Sequence, residues 1–275
     1  MSAQVFIDES ILRRLLPRPA DSHKGTFGTL VALCGSRNMP GAAYLAACGA
    51  LRSGVGLLKI AAEPEVKRIL QMRLAEPVWL DPSDLPDAHA MAFATAFLCG
   101  CGLGRETDAL LGDLLPKIHV PAVYDADCIN YFSLHKDEMD RLSGPYVLTP
   151  HPAEFSRLTG HPVAEIQQNR TTLAASFAKK HGCVLVLKGK NTVVASPDGD
   201  IGINTSGSDA LAKGGSGDVL AGVIASLLAQ GHDGFTAATI GVYVHGLAGE
   251  RLAERCGAHG ALPSDLPAEI GRILG

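Results

Sequence analysis

The sequence predicts an α/β fold in which a mostly parallel central sheet is covered by helices on both faces. Short runs rich in apolar and β-branched residues alternate along the chain with longer stretches of helical periodicity. Such alternation is typical of strand–helix–strand units, whose crossovers place helices on a parallel sheet. Hydrophobic residues make up 47% of the 275 residues and aromatics only 5%, with many Gly and Ala, which suits close packing of helices on a sheet.

The apolar runs predict eight strands, at residues 29–33, 57–61, 96–99, 122–124, 146–148, 184–187, 192–195 and 201–203. The helical periods predict seven helices, at residues 41–53, 65–73, 107–115, 153–158, 163–180, 217–230 and 236–254. The last two strands are joined by Pro-Asp-Gly-Asp, which predicts a hairpin and therefore an antiparallel edge to the sheet. No repeat or linker divides the chain, so one domain spanning residues 1–275 is expected.

Composition argues against several classes of protein. The net charge of −4, without a basic block, argues against nucleic acid or an anionic membrane as a partner. The first ten residues do not have the pattern of a signal peptide, and no apolar run reaches about 18 residues, so a cytoplasmic protein without a membrane span is expected. Seven scattered cysteines predict reduced thiols. Cys99 and Cys101 leave a metal site as a less favoured alternative, because no second Cys/His pair follows at metal-site spacing.

A glycine-rich segment, K-G-G-S-G-D-V-L-A-G-V at residues 213–223, runs directly into a helical pattern. The start of a helix leaves backbone N–H groups without partners and carries the positive end of the helix dipole, so it can bind phosphate. Asp218 lies in that first turn. An anion site with a carboxylate beside it suggests phosphoryl transfer, although Asp218 could instead only complement the helix dipole.

Further polar residues follow the predicted strands, where ligands of such sheets bind. His151 stands between two prolines that stiffen the turn, which makes it a candidate ligand contact. Glu154 could orient water or a Mg²⁺ ion that arrives with nucleotide phosphates, or it could cap the next helix. Residues 188–192, K-G-K-N-T, offer charge, N–H groups and hydroxyls to phosphates, or form a solvated turn.

Other segments are less specific. Residues 100–104 read G-C-G-L-G, one residue short of a dinucleotide-binding fingerprint, and fit better as a backbone loop beside a substrate. Asp125 and Asp127 end the fourth strand and could hold a hydroxyl group or cap a helix. The small residues 41–43 either admit a ligand or serve packing. His245 lies on an apolar helix and is expected to be a packed core residue.

Taken together, these stretches resemble the ADP/ATP-dependent NAD(P)H-hydrate dehydratase family of the ribokinase-like superfamily, in its stand-alone form without an epimerase domain. The matching segments lie in order between about residues 23 and 250: HKGTFGTL, PGAAYLAACGALRSGVG, GCGLGR, DADCIN, LTPHPAEFSRLTG, VLKGKNTVVASPDG and GSDALAKGGSGDVLAGVIASLLAQG. Two positions depart from the family pattern. Cys101 stands where the family usually has Pro, and Ser208 stands where it usually has Asn.

The resemblance implies a ribokinase-like three-layer α/β/α sandwich and a role for each matching residue. Asp218 would be the catalytic acid/base, and the anion hole would be Gly214, Gly215, Ser216 and Gly217. The adenine nucleotide would be bound by Lys188, Gly189, Lys190, Asn191, Thr192 and Gly217. The substrate would be bound by Ala43, Gly104, His151 and Asp218.

The resemblance also implies a reaction: dehydration of the S form of hydrated NADH or NADPH, through phosphorylation of its C6 hydroxyl by ADP or ATP and loss of phosphate. Mg²⁺ would be the metal, with Glu154 as a water-mediated ligand. The protein would be a homo-oligomer, such as a tetramer, and a separate epimerase would act on the same pool. Two alternatives are a small-molecule kinase of the same superfamily and a non-catalytic nucleotide-binding protein. The preference for ADP or ATP stays open.

Overall fold

The structure, a computed structural model, describes residues 4–85, 87 and 90–275. Its strands form a ten-stranded sheet in the order β1-β10-β9-β8-β7-β6-β5-β2-β3-β4. Their bounds are β1 Gln4–Ile7, β2 Thr29–Leu33, β3 Leu57–Ala61, β4 Val78–Leu80, β5 Ala96–Cys99, β6 Ala122–Tyr124, β7 Tyr146–Leu148, β8 Val184–Leu187, β9 Val193–Ala195 and β10 Ile201–Asn204.

The α-helices cover both faces of this sheet. Their bounds are α1 Pro40–Arg52, α2 Pro64–Gln71, α3 Asp108–Leu114, α4 Ala126–Leu134, α5 Pro152–Thr159, α6 Val163–Gln168, α7 Arg170–His181, α8 Ser216–Ala229, α9 Gly234–Gly260 and α10 Leu266–Leu274. No helix in the described part of the chain is both long and apolar enough to cross a membrane.

Alternate side chains along the strands enter two separate cores, which makes the fold a three-layer α/β/α sandwich. On β2, Leu30 and Ala32 pack in a core shared with α1, α2, α8, α9 and α10. Val31 and Leu33 point to the opposite face and pack in a core shared with α3 to α7. Strands that are buried on both faces are expected where helices cover both sides of a mostly parallel sheet, and the predicted fold class is confirmed.

One side of the sheet differs in detail from the expectation. The predicted hairpin is present as β9 and β10, which pair antiparallel with Val193 opposite Ile203. A further strand, β1, pairs parallel with β10 and extends the sheet beyond the hairpin. Because β9 is the strand that runs against both its neighbours, the antiparallel pairing lies inside the sheet rather than at its edge.

The helices also show differences from the sequence patterns. The helix predicted over residues 163–180 is divided into α6 and α7 at Asn169, whose φ of −125° and ψ of 32° are not helical. The helices α4 and α10, and the strands β1 and β4, were not predicted. The helix α9 continues beyond the predicted residue 254 and has a break at Gly257, where φ is 73°.

The helices α1 and α8 pack unusually closely, and this contact positions the start of α8. A Cβ atom at Gly222 of α8 would lie 2.0 Å from the carbonyl oxygen of Ala46, and one at Gly49 of α1 would lie 2.5 Å from that of Val219. Only glycine permits such backbone contact. The two helices thereby hold the N-terminus of α8 at the carboxyl ends of the strands, where ligands of open α/β sheets bind.

Candidate active site

A cavity of about 830 Å³ opens at the carboxyl ends of the strands, around the N-terminus of α8. Its lining brings together most of the residues that the sequence singled out: Asp125, His151, residues 188–192 and residues 214–218. The remaining lining residues are Ala126, residues 204–209, residues 211–213, Leu220, Val242, His245 and Gly246. The volume falls in the range of pockets that bury a ligand the size of a nucleotide.

Asp218 lies in the first turn of α8, next to the anion hole predicted from the glycines. The residue before the helix, Gly215, has a φ of 100°, a conformation that favours glycine. Burial raises the pKa of Asp218 to about 6, and the charge of Asp125 adds to the rise, whereas Cys101 and Lys188 oppose it. A carboxyl group with such a pKa is ionised at neutral pH yet is a stronger base than an ordinary aspartate, as proton transfer requires.

Lys188 and Asp125 form an ion pair at the wall of the cavity. The Lys188 ammonium lies 2.8 Å from Asp125 Oδ1 and 3.9 Å from Glu154 Oε2. The Thr149 hydroxyl donates a hydrogen bond of 2.6 Å to the same Asp125 oxygen. Burial by itself would lower the pKa of Lys188, but the Asp125 and Glu154 carboxylates raise it, so the ammonium remains charged.

His151 and Glu154 form a reciprocal cap at the start of α5. His151 Nδ1 accepts hydrogen bonds of 3.2 Å from the N–H groups of Ala153 and Glu154. Glu154 Oε2 in turn accepts a hydrogen bond of 2.8 Å from the His151 N–H. The capping alternative for Glu154 is thus realised, and its side chain lies behind the cavity wall. A water-mediated metal role for Glu154 stays a prediction.

Two of the residues that the resemblance assigns to substrate lie outside the cavity lining. Ala43 is 1% exposed and packs in the core of α1, so its side chain is not presented to the cavity. The Gly104 N–H donates a hydrogen bond of 2.8 Å to Asp127 Oδ2, which holds the glycine loop against α4. Substrate contacts at both positions stay predictions.

The cysteine pair considered as a metal site is separated by the sheet. Cys99 is buried in the core beneath α3 to α7, whereas Cys101 is buried in the opposite core. Cys101 instead joins the site: its Sγ lies 3.9 Å from Asp125 Oδ2, and within 4.8 Å of both the Asp125 and the Asp218 carboxylates. Sequence spacing did not indicate this cluster, because its members come from two strand ends and a distant helix.

His245 was expected to be a core residue, and it is buried, but it also has polar partners. Its Nε2 lies 3.1 Å from the Ser216 hydroxyl and 3.0 Å from the Ser216 carbonyl oxygen. Burial lowers the pKa of His245 to about 4, so the ring is neutral at physiological pH. His245 therefore fixes Ser216, a member of the predicted anion hole, from the neighbouring helix α9.

The low pKa of His245 predicts a pH dependence of stability. Because the pKa is lower in the folded state than in the unfolded chain, the neutral ring contributes stability at pH 7 that is lost as the pH falls towards 4. Urea unfolding should measure the free energy of unfolding of the wild type and of His245→Gln. The wild-type value minus the variant value should fall by about 2 kcal/mol between pH 7 and pH 4.5. A difference that is constant over this range would contradict the prediction.

Comparisons with known proteins find relatives over most of the chain. A family model described as NAD(P)H-hydrate dehydratase matches residues 30–272. The ADP-dependent (S)-NAD(P)H-hydrate dehydratase of Bacillus subtilis is 38% identical over 276 residues, covering 99% of this chain and 98% of the relative. A bifunctional NAD(P)H-hydrate repair enzyme of Moorella thermoacetica is 40% identical over 92% of this chain, which spans about half (51%) of that relative's length.

Solved structures are similar over nearly the whole chain. The ADP/ATP-dependent NAD(P)H-hydrate dehydratase of Bacillus subtilis, co-crystallised with ATP and Mg²⁺, has a TM-score of 0.88 at 37% identity. The match covers 98% of this chain and 97% of that structure's chain. A ribokinase-like superfamily protein of Enterococcus faecalis has a TM-score of 0.90 at 27% identity, with coverage of 98% and 95%. The ribokinase-like fold is therefore confirmed, and the chain belongs to the NAD(P)H-hydrate dehydratase family.

Proposed function

We propose that this protein repairs nicotinamide cofactors by dehydrating the S form of hydrated NADH or NADPH, with ADP or ATP as the phosphoryl donor. The observation that carries the proposal is the position of Asp218, a carboxylate with a raised pKa of about 6, in the first turn of α8 and at the wall of a nucleotide-sized cavity. Family membership and the activity named for the Bacillus subtilis relative support it.

The chemistry begins at the C6 hydroxyl of the hydrated ring. Asp218 takes the hydroxyl proton while the oxygen attacks the terminal phosphorus of the nucleotide, and the bond from that phosphorus to the leaving AMP or ADP oxygen breaks. The ring nitrogen then expels phosphate by breaking the C6–O bond, and C5 loses a proton, which restores the C5–C6 double bond. His151 and Asp218 are the two candidates to accept the C5 proton.

The anion hole acts on the charge that develops on the phosphoryl oxygens. The N–H groups of residues 214–217 lie at the positive end of α8, where preorganised donors stabilise such charge. His245 holds Ser216 in this arrangement. The loop 188–192 is kept in a tight turn by the Thr192 hydroxyl, which donates 2.9 Å to the Gly189 carbonyl oxygen, and this loop would bind the nucleotide.

Mg²⁺ fits the oxygen ligands at the cavity wall. The carboxylates of Asp125 and Asp218 lie close together there, and Mg²⁺ prefers oxygen ligands and retains several waters. Glu154 Oε2 accepts a hydrogen bond from the backbone N–H of His151, and Glu154 Oε1 lies 3.3 Å from His151 Nε2. We propose that Glu154 acts on the ion through water. When bound, the ion would neutralise charge on the nucleotide phosphates.

We also propose a domain organisation, a cellular location and an assembly for this protein. Residues 1–275 form one dehydratase domain, and the protein works in the cytoplasm as a homo-oligomer, such as a tetramer. A separate epimerase acts on the same pool of hydrated cofactor. Support for a second repair activity comes from the relatives named as bifunctional repair enzymes, which are about twice as long as this chain.

The proposed function is tested by incubating the protein with hydrated NADPH and either ADP, ATP or no nucleotide. We expect the absorbance of the reduced nicotinamide to return only when nucleotide is present, with one inorganic phosphate released for each cofactor restored. A stable phosphate ester without recovery of absorbance would instead indicate the kinase alternative. Nucleotide binding without any turnover would indicate the non-catalytic alternative.

A further inference from the structure

The Lys188 ammonium lies directly against the anion hole. A Cβ atom placed on Gly217 would be 3.3 Å from Lys188 Nζ, so the ammonium faces the first turn of α8 with no side chain between them. Two other lysines line the cavity, but Lys213 donates to the carbonyl oxygens of His259 and Ala261, and Lys190 is exposed. Lys188 therefore supplies the positive charge next to the helix N–H groups.

The ammonium is held there by residues at the ends of three neighbouring strands. Asp125 follows β6, Thr149 follows β7 and Lys188 follows β8, and these strands are adjacent and parallel. Asp125 is 2% exposed, and its Oδ1 receives both the Lys188 ammonium at 2.8 Å and the Thr149 hydroxyl at 2.6 Å. Because the Thr149 hydroxyl fixes that oxygen, Asp125 offers Lys188 one well-defined position.

We propose that Asp125, braced by Thr149, is a positioning residue that holds the Lys188 ammonium at the anion hole, where Lys188 contacts the phosphoryl group that is transferred. The inference rests on the proposed function and assigns a task to two residues, Asp125 and Thr149, that the resemblance left without one. Lys188 thereby donates a charge-assisted hydrogen bond to the phosphoryl group, in addition to the hydrogen bonds from the backbone N–H groups of residues 214–217.

The test compares Asp125→Asn, Lys188→Met and Thr149→Val with the wild type. We expect Asp125→Asn and Lys188→Met to lower the rate of NADPH recovery by about a hundredfold, and Thr149→Val to lower it less. Matched controls are Asp113→Asn and Lys117→Met, which remove an exposed ion pair of 2.7 Å outside the cavity lining and should leave the rate unchanged.

A binding measurement separates this inference from the proposed function. Calorimetry in the absence of Mg²⁺ should show that the wild type binds ADP more tightly than AMP, and that this preference falls by about tenfold or more in Lys188→Met and Asp125→Asn. The double variant Asp125→Asn/Lys188→Met removes both charges of the 2.8 Å pair, so neither partner is left buried without the other. It should fold even if a single variant does not, and it should still lack the preference.

The outcomes are distinguishable. Wild-type protein that binds ADP more tightly than AMP but never restores NADPH would overturn the proposed function. Loss of that preference in Lys188→Met and Asp125→Asn would then still show that Asp125 and Lys188 hold the terminal phosphate. Variants that restore NADPH at the wild-type rate, or that keep the wild-type preference for ADP over AMP, would overturn the inference.

Discussion

Replacing Asp218 with asparagine is expected to lower turnover by at least about a hundredfold and, at the same time, to stabilise the folded protein at neutral pH. The loss follows because asparagine cannot accept the proton of the C6 hydroxyl. ADP binding should be nearly unchanged, because the backbone N–H groups of the anion hole and the loop 188–192 remain. Calorimetry with ADP and a turnover assay with hydrated NADPH would measure the two effects separately.

The gain in stability follows from the sign of the pKa shift. The pKa of Asp218 is raised from 3.8 to about 6 on folding, so its contribution to stability is fully present below pH 3.8 and is lost as the pH rises through 6. At pH 8 the ionised side chain costs up to about 3 kcal/mol, and Asp218→Asn removes that cost. Urea unfolding should therefore show a larger gain at pH 8 than at pH 4.

The surface variant Asp113→Asn serves as the control, since its exposed partner Lys117 offers little stabilisation. A stability gain in Asp218→Asn that is equal at pH 4 and pH 8 would contradict the linkage argument. Substantial residual turnover would contradict the role of Asp218 as the base.

The sequence was most informative where a function depends on a continuous segment. The glycines at 214, 215 and 217 and the carboxylate of Asp218 lie within five positions, so a helix start with an anion hole could be recognised from local chemistry alone. The same holds for the hairpin of β9 and β10, which the turn residues between the strands indicate.

Contacts between distant segments could not be predicted in this way. Asp125, Thr149 and Lys188 meet because β6, β7 and β8 are adjacent, and the order of strands is a property of the whole fold. The strand β1 shows no alternation, with three exposed residues followed by a buried one, so only its pairing with β10 defines it. The sequence neighbours of His245 are apolar residues of a helix, which indicates only burial. Its contact with Ser216 depends on how α8 and α9 pack.

The second large effect concerns the packing of α8 on α1, which places Asp218. A side chain at Gly222 would collide with the backbone of α1, since its Cβ would lie 2.0 Å from the Ala46 carbonyl oxygen. Backbone atoms cannot move aside as a flexible side chain can, so the helices must separate. Gly222→Val is therefore expected to lower the free energy of unfolding by at least about 3 kcal/mol, measured by urea titration.

A matched glycine on the partner helix supplies the stability control. Gly41 of α1 is exposed, and a Cβ atom there would meet no atom within 4 Å. Gly41→Ala should leave the protein as stable as the wild type or more stable by up to about 1 kcal/mol, because alanine favours the helix. Similar destabilisation by Gly41→Ala and Gly222→Val would show that helix propensity, rather than the contact between α1 and α8, governs the effect.

The smaller change Gly222→Ala connects this packing to catalysis. If the variant remains folded, α8 must move away from α1 to admit the methyl group, and Asp218 moves with the first turn of the helix. A displacement of about 1 Å at a reacting group can lower a rate by about a hundredfold. We therefore expect the folded fraction of Gly222→Ala to turn over hydrated NADPH much more slowly than the wild type. Wild-type turnover by this folded fraction would mean that the position of α8 is set by its contacts with the sheet and α9 instead.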